Sequence, residues 1–328
     1  MPYSNVGEVP LALGVFLASD DYDYNSDPNT ISATTLLKPL RQIILASRVP
    51  ASQGFVPLAD MMSNRIGAAV HTAIEEAWTN NRDVALKAMG LPDRIISRFR
   101  VNPTDQELAA DSEIIPVYME QRASRKCGRW TVTGKYDFIG EGIVQDFKTT
   151  SVFTYVNQVN NTKYVLQGSI YRWLDPNKIT EDVLKIHYIF KDWSAGKAKA
   201  DPLKYPPKNF HTQTYNLMSM NEIDSFIRKK LALIDKHWND AEEDIPECDD
   251  EDLWRSEPSW KYYKNPAKTS RSTKNFDTAA EAYQRQADDG NVGLVVEVKG
   301  SVMACRYCPA FDLCSQKDQL IREGKLIL

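Results

Sequence analysis

Asp146 and Lys148 are two residues apart in IVQDFK, a segment with the apolar and β-branched residues of a strand. Residues two apart on a β-strand share a face, so this carboxylate and this ammonium point the same way. A turn at residues 140–142 joins the segment to the preceding strand pattern, WTVTGKYDFI. If its loop has two residues, Asp137 lies directly opposite Asp146. We therefore expect two carboxylates and one ammonium on one patch of a β-hairpin.

Such a group has a chemical use and also a simpler explanation. Mg²⁺ prefers oxygen ligands, commonly one or two carboxylates together with water and a substrate phosphate. A cation held there lowers the pKa of water, and a nearby lysine offsets charge that develops on the phosphate. A D-x-K triplet on a hairpin is more often a solvated ion pair. These three residues alone therefore do not predict a function.

Two further pairs of polar residues have the spacing of one helix face. His71 and Glu75 are four residues apart in SNRIGAAVHTAIEEAW, and Gln167 and Tyr171 are four apart in the helical pattern after Lys148. A lone histidine is usually a packed or surface residue, and Gln167 with Tyr171 suits a partly buried polar pair. Neither pair indicates chemistry by itself.

The order and spacing of these residues together resemble the PD-(D/E)XK nuclease superfamily, in its RecB-type branch, which includes CRISPR adaptation nucleases and phage exonucleases. The motifs are G-x-x-x-H (Gly67, His71), G-x-x-D (Gly134, Asp137), D-x-K (Asp146, Lys148) and Q-x-x-x-Y (Gln167, Tyr171).

The resemblance implies a set of roles and a fold. His71, Asp137 and Asp146 are expected to bind Mg²⁺ or Mn²⁺, and Lys148 is expected to be catalytic. Gln167 and Tyr171 are expected to support the site and the DNA. The implied fold is of the α/β (α+β) class, with a restriction-endonuclease-like mixed central sheet flanked by helices. Glu120, on the strand before the hairpin, is a further candidate for the same cleft.

Three of the five cysteines have the spacing of a metal site, Cys305-x2-Cys308-x5-Cys314. An odd number of cysteines in a chain of this size argues against a disulfide framework. Structural zinc and Fe–S clusters both take four such ligands. The fourth is either Cys248, which begins the same C-terminal stretch, or Cys127, and we favour Cys248.

The ending is similar to that of several RecB-type nucleases, in which C-x2-C-x5-C binds a [4Fe–4S] cluster. Their first cysteine precedes the nuclease motifs, whereas this sequence has Arg41-Gln42 in that region and no cysteine before Cys127. The resemblance thus implies a [4Fe–4S] cluster, and the departure from it keeps zinc as an alternative. Either would have a structural role.

Hydrophobic periodicity predicts the elements that position these groups. Helices are predicted over residues 32–48, 63–78 and 164–174 and after Ser219, which with Glu222 forms a capping box. Strands are predicted over 113–122, 130–139, 143–148 and 183–190, with shorter elements at 260–263, 278–287 and 293–298. We expect three regions: a loose N-terminal arm (1–30), a nuclease domain (31–245) and a C-terminal metal or Fe–S-cluster unit (246–328).

Composition sets limits on the partners. The formal charge of −4 does not indicate a nucleic-acid partner. The charge is unevenly distributed, however, since residues 240–252 are acidic and residues 261–274 are basic with aromatic neighbours. That basic segment suits single-stranded DNA or a solvated loop. No stretch approaches the roughly 20 apolar residues of a membrane span, and the first residues lack the basic start of a secretory signal. We expect a cytoplasmic protein, in the host cytoplasm if it is phage-encoded.

The leading hypothesis is a metal-dependent deoxyribonuclease, an exonuclease that acts on DNA ends or single strands in replication, recombination or repair. A recombination or replication protein is a possible partner. A second hypothesis is a catalytically inactive DNA-binding or recombination-partner module stapled by zinc. A third is a zinc-stapled interaction protein with no nucleic-acid role.

Overall fold

A computed structural model describes residues 3–19, 27–50 and 56–327. The described chain divides into two compact units. The first lies within residues 1–37 and 51–231 and contains the predicted nuclease motifs. The second combines residues 38–50 with residues 232–328 and contains the C-terminal cysteines.

The helices are α1 (Leu11–Ala18), α2 (Ala33–Leu36), α3 (Leu40–Ser47), α4 (Met62–Asn80), α5 (Arg82–Ala88), α6 (Asp93–Ile96), α7 (Asp105–Ala110), α8 (Val152–Val156), α9 (Asn161–Leu174), α10 (Ala195–Ala200), α11 (Met220–His237), α12 (Ala279–Asp288) and α13 (Ser315–Arg322). The strands are β1 (Tyr3–Ser4), β2 (Thr30–Ser32), β3 (Val56–Pro57), β4 (Phe99–Val101), β5 (Ile115–Cys127), β6 (Trp130–Gly140), β7 (Ile143–Thr150), β8 (Val183–Phe190), β9 (Phe210–Asn216), β10 (Ser259–Tyr263), β11 (Lys274–Phe276) and β12 (Leu294–Val298).

A seven-stranded mixed sheet forms the first unit, in the order β4-β5-β6-β7-β8-β9, with β2 paired to β6. Strand pairs β5–β6, β6–β7 and β8–β9 are antiparallel, whereas β4–β5, β7–β8 and β2–β6 are parallel. The predicted α/β class with a mixed central sheet flanked by helices is confirmed.

The β6–β7 hairpin has the register that the sequence predicts. Gly140 pairs with Ile143, so the loop consists of Glu141 and Gly142. Both have positive φ, 54° and 73°, which is the geometry of the tight turn that matches strand twist. A side chain at 142 would also meet Thr180, whose Oγ1 lies 2.1 Å from the position of a Cβ. The turn therefore fixes the register.

The two hairpin strands separate beyond this short ladder. Their backbone pairing runs only from the turn to Phe138 and Gln145. Farther from the turn, β6 pairs with β2 and β5, while β7 pairs with β8. The result is a fork in the sheet that opens where Asp137 and Asp146 stand.

Helices cover the sheet on both sides of the fork. On one side, Trp78 of α4 packs with Phe99 and with the buried cluster of Val117, Met119 and Phe138. On the other side, α9 packs on β6 at Gly134, where a Cβ would lie 2.7 Å from the ring of Tyr171. Glycine at 134 is thus a requirement of close helix–strand packing.

The second unit has a smaller sheet of its own, in the order β11-β10-β12. Tyr262 of β10 is fully buried and donates hydrogen bonds to Asp289 and to the carbonyl oxygen of Val292. Lys264 pairs with Asp289 at 3.6 Å. Tyr262 and Lys264 of the basic segment therefore have structural roles. Not every aromatic and cationic side chain of this segment is available to contact single-stranded DNA.

Several elements differ from the sequence prediction. Pro39 divides the helix predicted over 32–48 into α2 and α3, because proline has no N–H to donate within a helix. Strand β9 was not predicted. Within the expected loose arm, α1 buries Leu17. It lacks a periodic signal because nearly all of its residues are apolar, and residues 1, 2 and 20–26 of the arm lie outside the described residues. The expected domain boundaries stay a prediction.

No helix among the described residues is long and apolar enough to cross a membrane.

Substituting Gly134→Ala should destabilise the protein by about 1–3 kcal/mol, because the new methyl group overlaps the Tyr171 ring. Gly67→Ala is the matched control, since nothing lies within 4 Å of its Cβ position on α4. It should be neutral or stabilising by up to about 1 kcal/mol through helix propensity. Urea unfolding measures both, and equal effects would contradict the close packing at Gly134.

Candidate active site and cysteine cluster

Three carboxylates form a row across the fork. Met119 pairs with Phe138 and Gln121 with Tyr136, which places Glu120 opposite Asp137. The β6–β7 register, continued by one residue, places Asp137 opposite Asp146. Neighbouring strands are about 4.8 Å apart, so the three side chains are close neighbours.

At the fork, the side chain of Asp137 replaces a backbone hydrogen bond that a paired strand would make. Its Oδ2 accepts a hydrogen bond of 3.1 Å from the backbone N–H of Phe147. The side chain thus satisfies a β7 donor where β6 no longer pairs with it. This bond holds the carboxylate in the cleft, where only 15 % of the side chain is exposed.

His71 reaches the same point from α4. Its Nε2 lies 3.0 Å from the carbonyl oxygen of Phe147. A carbonyl only accepts, so Nε2 carries the hydrogen. Nδ1 then faces Oδ2 of Asp137 at 3.5 Å and Oε1 of Glu120 at 3.7 Å. In the neutral ring Nδ1 is a lone pair directed at two anionic oxygens, an arrangement that a proton or a metal ion would relieve.

The pKa values at this point show the same excess of negative charge. Burial alone would lower the pKa of His71, but the neighbouring carboxylates of Glu120 and Asp137 outweigh it and raise this pKa to about 9. Burial, together with the charge of Asp146, raises the pKa of Asp137 well above its usual range. The site therefore retains protons until a cation replaces them.

Glu120 has an unusual backbone conformation. Its φ is 51°, in the left-handed region, which costs a non-glycine residue about 1–3 kcal/mol and occurs preferentially at functional sites. Its Oε2 pairs with Lys135 at 2.7 Å. Burial would raise the pKa of Glu120, but the neighbouring His71 and Lys135 lower it, so the group is a carboxylate at neutral pH.

Asp146 and Lys148 form a buried pair. Nζ of Lys148 lies 2.6 Å from Oδ2 of Asp146 and 5.5 Å from the centre of the Tyr164 ring. The contact has the distance of an ion pair but not the angles of a hydrogen bond, and this buried oxygen has no hydrogen-bond partner among the described residues. Burial would lower the pKa of Lys148, but the charges of Asp146 and Asp137 raise it, so the amine is an ammonium.

Gln167 and Tyr171 lie on α9. Nε2 of Gln167 donates a 2.7 Å hydrogen bond to the hydroxyl of Tyr171, which lines the cleft with Lys148 and the β6 residues beside Gly134. The cleft has a volume of about 780 Å³. Cationic side chains that line it are Arg65, Arg122, Lys135 and Lys148.

The structure brings the sequence-predicted site residues into one region, with one difference in grouping. The possible ligand atoms of His71, Glu120 and Asp137 all lie within 4.8 Å of one another. Asp146 falls outside this group, and its buried Oδ2 lies against the Lys148 ammonium. Alternation along β5 could suggest Glu120 only as a neighbour, since its left-handed φ has no signal in the sequence. Lys135, its partner, was not identified from the sequence.

The four cysteines of the C-terminal motif approach one another in the second unit. Cys308 and Cys314 pack against the buried cluster of Ile44, Leu45, Ile245 and Ala310. Cys248 and Cys305 pack against a second cluster, Leu253, Val302, Leu320 and Leu326. Burial, followed by Asp252 and the three other thiols, raises the pKa of Cys248. Cys127 lies in the first unit at the end of β5.

Arg41 contacts this cysteine group directly. Its side chain is 3 % exposed, and its Nε donates to Sγ of Cys314 at 3.3 Å. The guanidinium also pairs with Glu242 and donates to the carbonyl oxygen of Ile245. The start of α3 thus reaches the cysteine group through Arg41.

Comparisons with known proteins identify distant structural neighbours and no family. No protein-family model and no curated protein matches this chain. The crystal structure of SSO0001 is similar over 64 % of this chain and 79 % of that one, with 15 % identity and a TM-score of 0.39. A phage-related exonuclease from Haemophilus somnus 129PT is similar over 64 % and 93 %, with 14 % identity and a TM-score of 0.29. At these scores the site must be interpreted from its own geometry.

The metal-free protein should lose stability as the pH rises from 6.5 to 9. The folded state raises the pKa of His71 from 6.5 to about 9, so this stabilisation is complete below 6.5 and disappears as the pH passes 9. Asp137, whose pKa is raised from 3.8 to about 7, acts in the same direction at lower pH, between about 4 and 7. Urea unfolding in EDTA measures the change.

Two variants test the source of this dependence. His71→Gln should flatten the pH dependence of stability. His211→Gln removes a histidine that does not line the cleft, and it should leave the pH dependence unchanged. A slope that persists without His71 would refute the assignment.

Proposed function

We propose that this protein is a divalent-metal-dependent deoxyribonuclease. The observation that carries the proposal is the meeting of Asp137, Asp146, Lys148 and His71 at one fork of the sheet. Two acids and an ammonium on diverging strands, below a histidine-bearing helix, form a compact hydrolytic arrangement. The order of the same residues in the sequence resembles RecB-type nucleases.

The donor set fits Mg²⁺ or Mn²⁺. Carboxylates are the preferred ligands of both, and an imidazole favours the transition metal. The histidine is oriented by a hydrogen bond from its other nitrogen to a carbonyl, as in most metal sites. Ligand atoms around such an ion are about 3 Å apart, close to the 3.5 Å between His71 and Asp137.

Each residue then has a definite task. A bound divalent cation supplies Lewis acidity toward a phosphate and lowers the pKa of water. His71 and Asp137 orient it, and Asp146 adds negative charge beside it. Lys148, held as an ammonium, positions the attacking water and offsets charge that develops on the phosphate. Tyr171, fixed by Gln167, shapes the wall that the DNA contacts.

DNA is the substrate that the cleft suits best. Arg65, Arg122 and Lys135 line it together with serine and threonine hydroxyls, which are groups that contact phosphates. These cationic side chains lie beside the carboxylates of the same cleft, and they provide phosphate contacts in a chain whose formal charge is −4. Action on ends or single strands is inferred from the resemblance, and a partner among recombination or replication proteins rests on the same ground.

We also propose that Cys248, Cys305, Cys308 and Cys314 hold a [4Fe–4S] cluster. In a zinc site with bonds of 2.3 Å the sulfur atoms lie about 3.8 Å apart. No three of these four sulfurs lie within 4.8 Å of one another. Four thiolates that bind four different irons need the wider spacing. Zinc is the alternative, and a structural role is proposed in either case.

Wild-type protein with Mn²⁺ or Mg²⁺ should degrade end-labelled DNA, and EDTA should stop it. Asp146→Asn and Lys148→Met should each reduce the rate by about 10²-fold or more, since both remove groups beside the reacting phosphate. Lys185→Met is the matched control, on the opposite face of the neighbouring strand. Substrates labelled at the 5′ or 3′ end, single- or double-stranded, reveal polarity and strand preference.

DNA binding without cleavage by the wild type would favour the inactive binding module instead. Unchanged cleavage in both site variants would refute the assignment of Asp146 and Lys148.

Anaerobically purified protein should be brown, absorb near 400 nm and contain iron with acid-labile sulfide. Cys248→Ser should lose this absorbance, whereas Cys127→Ser should keep it. Colourless protein that contains zinc would support the alternative metal, and loss of the cluster only in Cys127→Ser would reverse the choice of fourth ligand.

A further inference from the structure

Glu120 is the acidic residue of the cleft for which the proposed reaction has not yet required a role. We propose that Glu120 is a direct ligand of the divalent cation, which is held between α4, β5 and β6 by His71, Glu120 and Asp137. This inference rests on the proposed metal-dependent function and deepens it. It assigns a ligand outside the four sequence motifs.

The backbone directs this side chain to the cation position. The ladder between β5 and β6 is regular on both sides, with pairs at Met119 and Gln121. Only Glu120 between them leaves it, with a φ of 51°. A surface ion pair does not require a left-handed φ, and such conformations occur preferentially at functional sites.

The two oxygens of Glu120 have different partners. Oε2 pairs with Lys135 at 2.7 Å, and Oε1 faces Nδ1 of His71 at 3.7 Å. Lys135 therefore anchors one oxygen and leaves the other for the cation. Since Oδ2 of Asp137 is 3.5 Å from the same nitrogen, three donor atoms from three elements surround one point.

Lys135 and Lys148 alone do not balance the three carboxylates of this cleft. Glu120 and Asp137 are only 17 % and 15 % exposed, and two carboxylates so placed repel each other unless a cation lies between them. Lys135 is at the outer oxygen of Glu120 and Lys148 is at Asp146. Between these two lysine–carboxylate pairs, a metal ion can take the place of the His71 proton.

Glu75 provides a matched control in the same cleft. It lies one helical turn after His71 on α4 and lines the pocket, but it is not among the three residues whose ligand atoms converge. Its removal takes one negative charge from the cleft without removing a proposed ligand.

Mn²⁺ binding to the full chain, measured by the EPR signal of the free ion, tests the proposal without a nuclease assay. Glu120→Gln and Glu120→Asn should each weaken binding by about tenfold or more. Asparagine tolerates a left-handed φ, so the second variant preserves the local backbone. Glu75→Gln should change the Kd by no more than about twofold, because long-range effects of a surface charge are screened. Circular dichroism and thermal unfolding in EDTA show that each variant is folded.

The outcomes separate this proposal from the function on which it rests. Unchanged Mn²⁺ affinity in folded Glu120 variants, or equal weakening in Glu75→Gln, overturns the ligand role while cleavage by the wild type stands. Absence of Mn²⁺ binding by the wild type overturns it as well. Selective weakening in the Glu120 variants supports it even if the wild type cleaves no DNA.

Discussion

The candidate site depends on one hydrogen bond, from the backbone N–H of Phe147 to the carboxylate of Asp137. Strands β6 and β7 separate at this point, and a buried N–H without a partner would be costly. The aspartate side chain satisfies that donor and is fixed at the mouth of the fork. The carbonyl of the same residue, Phe147, orients His71. The backbone of Phe147 in β7 thus fixes the side-chain positions of both Asp137 and His71.

This constraint explains the electrostatics of the cleft. Asp137 is held beside Asp146 on one side and Glu120 on the other, in surroundings that expose little of any of the three. Low exposure strengthens the repulsion between the carboxylates and the attraction of each for a cation. Lys135, Lys148 and the His71 proton balance the charge in the absence of metal. The proposed cation would take over part of this balance, and without it the protein is expected to lose stability at high pH.

The second unit follows a different principle. Its cysteines lie against two small apolar clusters, each of four fully buried residues. A unit of this size has little core, and the proposed metal or Fe–S cluster would join four side chains from distant positions and add stability to it. The buried guanidinium of Arg41 ties α3 to the same group. This explains why residues 38–50 belong to the second unit and not to the first.

The sequence by itself determined the strands and helices with strong periodicity and the position of the hairpin turn, and it predicted that Asp137 faces Asp146 if the loop has two residues. These features are local, because turn chemistry and residue alternation fix them within a few positions. It could not determine the fork, the left-handed conformation of Glu120, or the pairing of Lys135 and Arg41 with their partners. Those depend on strands and helices that are remote in sequence. Only the tertiary structure decides which strands pair with each other, and strand pairing decides which side-chain donor atoms meet in the cleft.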